Sequence, residues 1–238
     1  MTQIAIVVYP QFTALDFIGP YEVLRNLPGA QVRFVWHEPG PVAADSGVLL
    51  VGATHSFDET PSPDVVLVPG GPGFAEAARD PKVRTWLTSV APTADWVASV
   101  CTGSLVLAAA GLLEGKRATS HWVAVNQLSA WGATPVTDER IVFPAPGDRV
   151  VTAAGVSAGI DLGLWLAGQI AGAERAKAIQ LFIEYDPQPP FDSGHRSKAG
   201  AGTVSRSMAM LTRDSLRPGP LKAASALLWE SAVRRVRR

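Results

Sequence analysis

The chain has 238 residues and a formal net charge of zero; 47% of its residues are hydrophobic and 18% are charged. This hydrophobic fraction excludes a disordered chain, and no uninterrupted apolar run of about 18 residues exists to cross a membrane. The single cysteine, Cys101, excludes an internal disulfide and a cysteine-based metal cluster.

Met1-Thr2-Gln3 leads into an apolar run with neither a basic n-region nor a small-residue cleavage site, so a cytoplasmic protein without a secretory signal is expected. The β-branched run Ile4 to Tyr9 reads as a strand buried on both faces, of the kind parallel sheets contain. Pro10 stops it. Phe17 to Leu24 reads as a helix with Pro20 near its first turn. Gln31 to Trp36 is a second strand, and Val48 to Val51 a short extended piece. Asp64 to Pro69 is a further buried strand, closed by Gly70-Gly71-Pro72-Gly73. Lys82 to Val90 is helical in pattern, Asp95 to Val100 is a strand, and Gly103 to Leu113 is a helix of small residues. Val123 to Trp131 reads as helical. Ile141-Val142-Phe143 and Arg149 to Thr152 pair as a hairpin around Pro146-Gly147-Asp148. Ser157 to Ile170 and Ala173 to Tyr185 are helices. This alternation predicts an α/β fold with a mostly parallel sheet covered on both faces.

Asp186-Pro187-Gln188-Pro189-Pro190 cannot continue a helix, so the main domain is expected over residues 1–190 and a loop and helical extension over 191–238. Helices are expected at Val204 to Leu211 and Leu221 to Val236. The extension is too small for its own core and should dock on the body or on a partner chain. It is also basic: residues 195–238 hold 10 Lys and Arg against 2 Asp and Glu, whereas residues 1–194 hold 11 against 19. No aromatic residue interleaves the closing Arg234-Arg235-Val236-Arg237-Arg238, so this run reads as a solvated helix end that complements the helix dipole. Neither a nucleic-acid nor a membrane partner is expected.

The most informative stretch runs from Trp96 to Leu105. A buried strand passes into Cys101, and a small-residue helix follows at once, with Ser99 and Gly103 as small flanks. This is the cysteine counterpart of a nucleophile elbow. A sharp strand-to-helix turn presents the thiol at a helix N-terminus, where the dipole and unpaired N–H groups favour the thiolate that attacks. The alternative is a buried structural cysteine. In a parallel sheet the Gly70–Gly73 loop shares the carboxyl edge with Cys101. The Gly71 and Thr102 N–H groups could form a two-donor pocket for developing negative charge; plain turn use is the other reading. Asp16, after the first strand at that edge, serves either as general acid and base or as helix N-cap. His121 is a catalytic base or a structural histidine. The remaining histidines lie in loops or at strand ends, and no H-x-x-x-H or H-E-x-x-H spacing supports a metal site. Phe17, Ile18 and Trp122 are candidates for a pocket wall, with core packing as the alternative.

Four segments together resemble the DJ-1/PfpI superfamily, and within it the isocyanide hydratase branch. They are the Cys101 elbow, Gly70-Gly71-Pro72-Gly73, Ala118-Thr119-Ser120-His121-Trp122 and Leu15-Asp16-Phe17-Ile18-Gly19-Pro20. Phe182 to Phe191 extends the resemblance to nearly the whole chain. It implies a flavodoxin-like three-layer α/β sandwich, a homodimer with its site near the interface, and no cofactor. It implies Cys101 as nucleophile and Asp16 as acid and base, with Gly71 and Thr102 as backbone donors and His121 supporting from behind. The implied reaction is hydration of an isocyanide to an N-substituted formamide through a cysteine thioimidate. Peptidase relatives carry a histidine directly after the cysteine, where this chain has Thr102. Hydratase relatives tend to carry a glycine run where this chain has Thr152-Ala153-Ala154-Gly155, so the mobility of the following helix is expected to differ. Rival readings are a glyoxalase or deglycase acting on 2-oxoaldehydes, the sensing domain of an AraC-type regulator, and a sensor whose thiol oxidises. A helix-turn-helix region needs roughly twice the residues that follow Pro190.

Overall fold

The computed structural model describes residues 1–215 together with Leu227 and Glu230. In chain order the elements are β1 (Thr2–Val7), α1 (Ala14–Leu24), β2 (Ala30–Trp36), β3 (Gly40–Ala43), β4 (Leu50–Ala53), β5 (His55–Ser56) and β6 (Val65–Val68). Next come α2 (Phe74–Arg79), α3 (Pro81–Val90), β7 (Trp96–Val100), α4 (Gly103–Ala109), β8 (Arg117–Ala118), a 3-10 helix (Val125–Trp131) and β9 (Thr134–Pro135). The chain continues through β10 (Ile141–Val142), β11 (Val150–Ala153), α5 (Ala158–Ala171), α6 (Ala173–Phe182) and α7 (Ala201–Ser215).

The central sheet has the order β10-β11-β7-β6-β1-β2-β5. All of its neighbours pair in parallel except β10 with β11, which form the expected hairpin with Ile141 opposite Ala153. The central strands are Val/Ile/Leu-rich and buried along their length, because helices cover both faces. On one side α1 packs on α5 and α5 on α6; on the other α2 packs on α4 and α3. Gly159 and Gly163 bring α5 close to Pro20 of α1.

From β1 the chain first adds β2 and β5 on one side, then reverses to add β6, β7 and β11 on the other. The reversal opens a crevice at the carboxyl ends of β1 and β6, the usual ligand position in such sheets. Asp16, Gly70 and Cys101 all follow strands at this edge.

Several element boundaries differ from the sequence expectation. β1 begins at Thr2 and ends at Val7. α1 starts at Ala14, so Pro20 lies in the helix interior rather than near its first turn, and its missing N–H leaves the Asp16 carbonyl without a helical partner. The extended piece expected at Val48 to Val51 is β4 (Leu50–Ala53), shifted by two residues and paired with β3, which like α2 carries no strong period in the sequence. Arg117–Ala118 and Thr134–Pro135 add a small parallel pair. α4 stops at Ala109, and Gly111 then adopts a left-handed φ of 84°. The expected helix at Val123 to Trp131 is a 3-10 helix.

α7 covers the expected Val204 to Leu211. The expected helix Leu221 to Val236 falls outside the described residues apart from Leu227, which is buried, and Glu230. Glu230 pairs with Arg79 on α2 at 2.8 Å and with Arg84 on α3 at 2.7 Å. Among the described residues no helix is long and apolar enough to cross a membrane.

Candidate active site

Two residues separate the end of β7 from the start of α4, so the chain reverses sharply at Cys101. Cys101 takes a φ of +58°, a left-handed conformation uncommon for a residue with a side chain. Two glycines make room for it. A Cβ at position 103 would lie 2.1 Å from the Val68 carbonyl oxygen, and one at position 70 would lie 2.5 Å from the Thr102 nitrogen. Hydrogen bonds then hold the backbone. The Cys101 N–H faces the Ala153 and Ala154 carbonyl oxygens at 3.1 and 2.9 Å. The Cys101 carbonyl accepts from Ser104 Oγ at 3.1 Å and Ser120 Oγ at 2.9 Å.

The Cys101 side chain is buried, with 6% of the residue exposed. The backbone N–H groups of Thr102 and Val156 hydrogen-bond the sulfur and favour its anion. Burial and the neighbouring Asp16 carboxylate outweigh them and push the thiol well above its ordinary range. Asp16 is fully buried in the first turn of α1. Its Oδ2 accepts the Gly70 N–H at 2.8 Å. The carboxyl's other oxygen, Oδ1, is buried without a hydrogen-bond partner on the side of the Cys101 thiol. Burial pushes the Asp16 carboxyl up to about 7, against the Gly70 hydrogen bond and the Cys101 thiol, which favour its ionised form.

The pair therefore differs from the sequence expectation in one respect. The helix N-terminus and its amides favour the thiolate, but burial beside Asp16 pushes the thiol the other way. Two anions in one buried site repel, so burial and their mutual repulsion push both the thiol and the carboxyl above their ordinary values. Tyr9, two residues after β1, packs beside the pair. Its hydroxyl donates to the Pro69 carbonyl at 2.8 Å, and burial beside Asp16 and Cys101 keeps the phenol protonated.

The N-cap alternative for Asp16 fails: Thr13 occupies that position, and its hydroxyl donates to Asp45 Oδ2 at 2.7 Å. The Gly71 N–H donates to Thr102 Oγ1 at 3.0 Å and is engaged there in this structure. The Thr102 N–H is turned to the sulfur, not paired with Gly71 in the two-donor pocket that the sequence suggested. The second sulfur donor is Val156, which sequence reasoning missed. It is a β-branched residue with a φ of +33°, and nothing in its neighbourhood signals that turn. Gly70 was legible as part of the glycine loop, but not as the donor to Asp16.

His121 is part-buried, and a Cβ on Gly155 would press 2.6 Å from its ring carbon Cδ2. Burial lowers its pKa, so the ring is neutral. It lines a cleft of about 990 Å³ together with Trp122, Gly155, Val156 and Tyr185. Ser120, Ala154 and Val156, which contact Cys101, also line this cleft, whereas Cys101 and Asp16 themselves lie behind its lining. Trp122 is thus a wall residue, whereas Phe17 stacks edge-on against Phe12 and Phe34 in the core. Ile18 is part-buried against the same core. Among the described residues no group of three or more His, Cys, Asp and Glu side chains gathers in a metal-binding arrangement.

Residues 2–169 match the DJ-1/PfpI family. The chain is 44% identical over 202 residues to the isonitrile hydratase of Pseudomonas putida, spanning 85% of this chain and 86% of that one. It is 33% identical over 177 residues to the HTH-type transcriptional regulator CdhR of Pseudomonas aeruginosa, spanning 71% of this chain but 51% of the regulator. Among solved structures, a ThiJ/PfpI family protein from Pseudomonas syringae superimposes with a TM-score of 0.85 at 35% identity, covering 95% of this chain and 90% of that one.

Proposed function

This chain belongs to the DJ-1/PfpI family, and we propose that it is an isonitrile hydratase, a lyase that adds water to an isocyanide and releases an N-substituted formamide. The observation that carries this reading is the buried Cys101–Asp16 pair, in a chain 44% identical to an isonitrile hydratase over most of its length.

The chemistry follows from the pair. With the thiol protonated and Asp16 ionised, the site carries one negative charge before substrate enters. The isocyanide carbon approaches the sulfur. As the S–C bond forms, Asp16 takes the thiol proton and hands it to the same carbon, giving a thioimidate. The Thr102 and Val156 N–H groups hold negative charge on sulfur during the transfer. Water then adds to the thioimidate carbon while Asp16 accepts its proton and delivers it to nitrogen. The tetrahedral adduct collapses, the hydroxyl proton returns to sulfur, and the formamide leaves. Atoms and charge balance, and one carboxyl serves twice as base and twice as acid. A carboxyl pushed up to about 7 suits both roles near neutral pH. His121, neutral and off the sulfur, supports the Gly155–Val156 turn rather than moving protons. Gly71 becomes a further donor if Thr102 Oγ1 releases its N–H. We take the working form to be a cytoplasmic homodimer that needs no cofactor, with residues 1–190 as the catalytic domain and residues 191–238 as an extension.

Product analysis by NMR with a small alkyl isocyanide tests the reading, using the parent protein, Cys101→Ala and Asp16→Asn. The expected result is N-alkylformamide from the parent, none from Cys101→Ala, and turnover lowered by about 10²–10⁴-fold in Asp16→Asn. Formamide production by Cys101→Ala at the parent rate would overturn it. Loss of methylglyoxal without formamide formation would favour the glyoxalase reading.

A further inference from the structure

Val156, whose N–H faces the Cys101 sulfur, turns through a positive φ just before α5 and directly follows the Ala154 carbonyl–Gly155 stretch that holds the Cys101 N–H at 2.9 Å. Such a turn is strained for a β-branched residue and persists only where its surroundings hold it. Arg140, just before β10, touches both of its flanks. On one side the Arg140 carbonyl accepts the Ala154 N–H at 2.9 Å. On the other, Arg140 Nη2 donates to Ser157 Oγ at 3.2 Å, and Nε donates to Asp161 Oδ2 in the first turn of α5. The second oxygen of Asp161 accepts the Tyr185 hydroxyl at 2.9 Å. Tyr185 opens the Pro-rich segment that forms the far wall of the cleft, with Pro187, Pro189 and Phe191.

We infer that Arg140 is a positioning residue for this site: it clamps the Ala154–Ser157 turn so that the Val156 amide stays on the sulfur, while Asp161 and Tyr185 tie the cleft wall to the same clamp. The inference rests on the reading of Cys101 as the nucleophile. An exposed ion pair contributes little to stability. The backbone bond to Ala154 is kept by any residue at 140, whereas the paired bonds to Ser157 and Asp161 need the guanidinium, which reaches both at once.

The chain has one cysteine, so the ultraviolet absorbance of its thiolate against pH reports on Cys101 alone, with Cys101→Ala as the blank. The titratable groups that face the sulfur are Asp16 on α1 and Tyr9 after β1, with Asp45 acting on Asp16, and all three are left in place. In Arg140→Met the thiolate midpoint is expected to rise by about one unit, as the sulfur loses a donor. Turnover is expected to fall roughly tenfold with KM little changed. Arg140→Lys is expected to restore little, because one ammonium cannot reach Ser157 and Asp161 together. Tyr185→Phe is expected to raise KM and leave the thiolate midpoint where it was. An unchanged midpoint in Arg140→Met would overturn the inference. Should that variant not fold, Ser157→Ala carries the test: a midpoint that rises in the same direction supports the clamp, and an unmoved one rejects it. The titration needs no isocyanide, so a shifted midpoint in a protein that yields no formamide would leave the clamp standing and remove the hydratase reading.

Discussion

The Thr102 hydroxyl accepts the Gly71 N–H at 3.0 Å, which fastens the glycine loop after β6 to the elbow after β7. Both groups are buried, so removing the hydroxyl leaves an amide without a partner and without water. Thr102→Val is expected to lower stability by about 1–3 kcal/mol, read as a drop in midpoint temperature. Thr102→Ser keeps the oxygen and is expected to recover most of that loss. Thr102→Val as stable as the parent would remove the fastening role.

Asp16 gives the pH dependence a definite sign. Its carboxyl lies near 3.8 in the unfolded chain and about 7 in the folded one, so the native state holds a proton that the unfolded state has lost between those values. Its contribution is most favourable below about pH 4 and is lost as pH rises toward 7. Asp16→Asn cannot ionise and should remove that slope. Urea unfolding at pH 5 and pH 7.5 checks this; parallel losses in parent and variant would count against a raised Asp16 carboxyl.

Asp45 lies outside the site but acts on it. Its carboxylate receives the Thr13 hydroxyl, and its negative charge helps hold the Asp16 carboxyl up. Neutralising it favours the Asp16 anion. The acid limb of kcat/KM in Asp45→Asn is therefore expected to move to lower pH, by some tenths of a unit at this separation. A limb that moves upward, or stays, contradicts the coupling.

Gly103→Ala places a methyl group 2.1 Å from the Val68 carbonyl oxygen, a backbone atom that cannot step aside. The elbow must open or the strand must shift. We expect a loss of several kcal/mol and a protein that either fails to fold or has no activity. Normal melting and full turnover in this variant would mean that the close approach is not needed.

His121→Phe keeps a flat ring against Gly155 and removes the imidazole. Because burial already holds this histidine neutral, turnover is expected to stay within about tenfold of the parent, with an unchanged pH profile. A lost limb in that profile would make His121 a proton carrier after all.

Much of this molecule was legible in its sequence, where local chemistry and fold agree. Buried β-branched runs at Ile4, Val65 and Val97 announced parallel strands, because a strand covered on both faces has no polar alternation to show. The lone cysteine between a strand and a small-residue helix announced an elbow, because only small neighbours let the chain turn that tightly. Asp16 and Cys101 are far apart in sequence, yet their common position after parallel strands predicted one edge. Tertiary structure alone decided the rest. The upward push on the thiol and the carboxyl follows from burial, which no local motif records. The engaged Gly71 amide and the Val156 amide at the sulfur depend on how separate loops meet. Arg140 bears on Cys101 only because β10 lies beside β11. Such contacts depend on distances between elements, whereas the sequence carries chiefly the preferences within them.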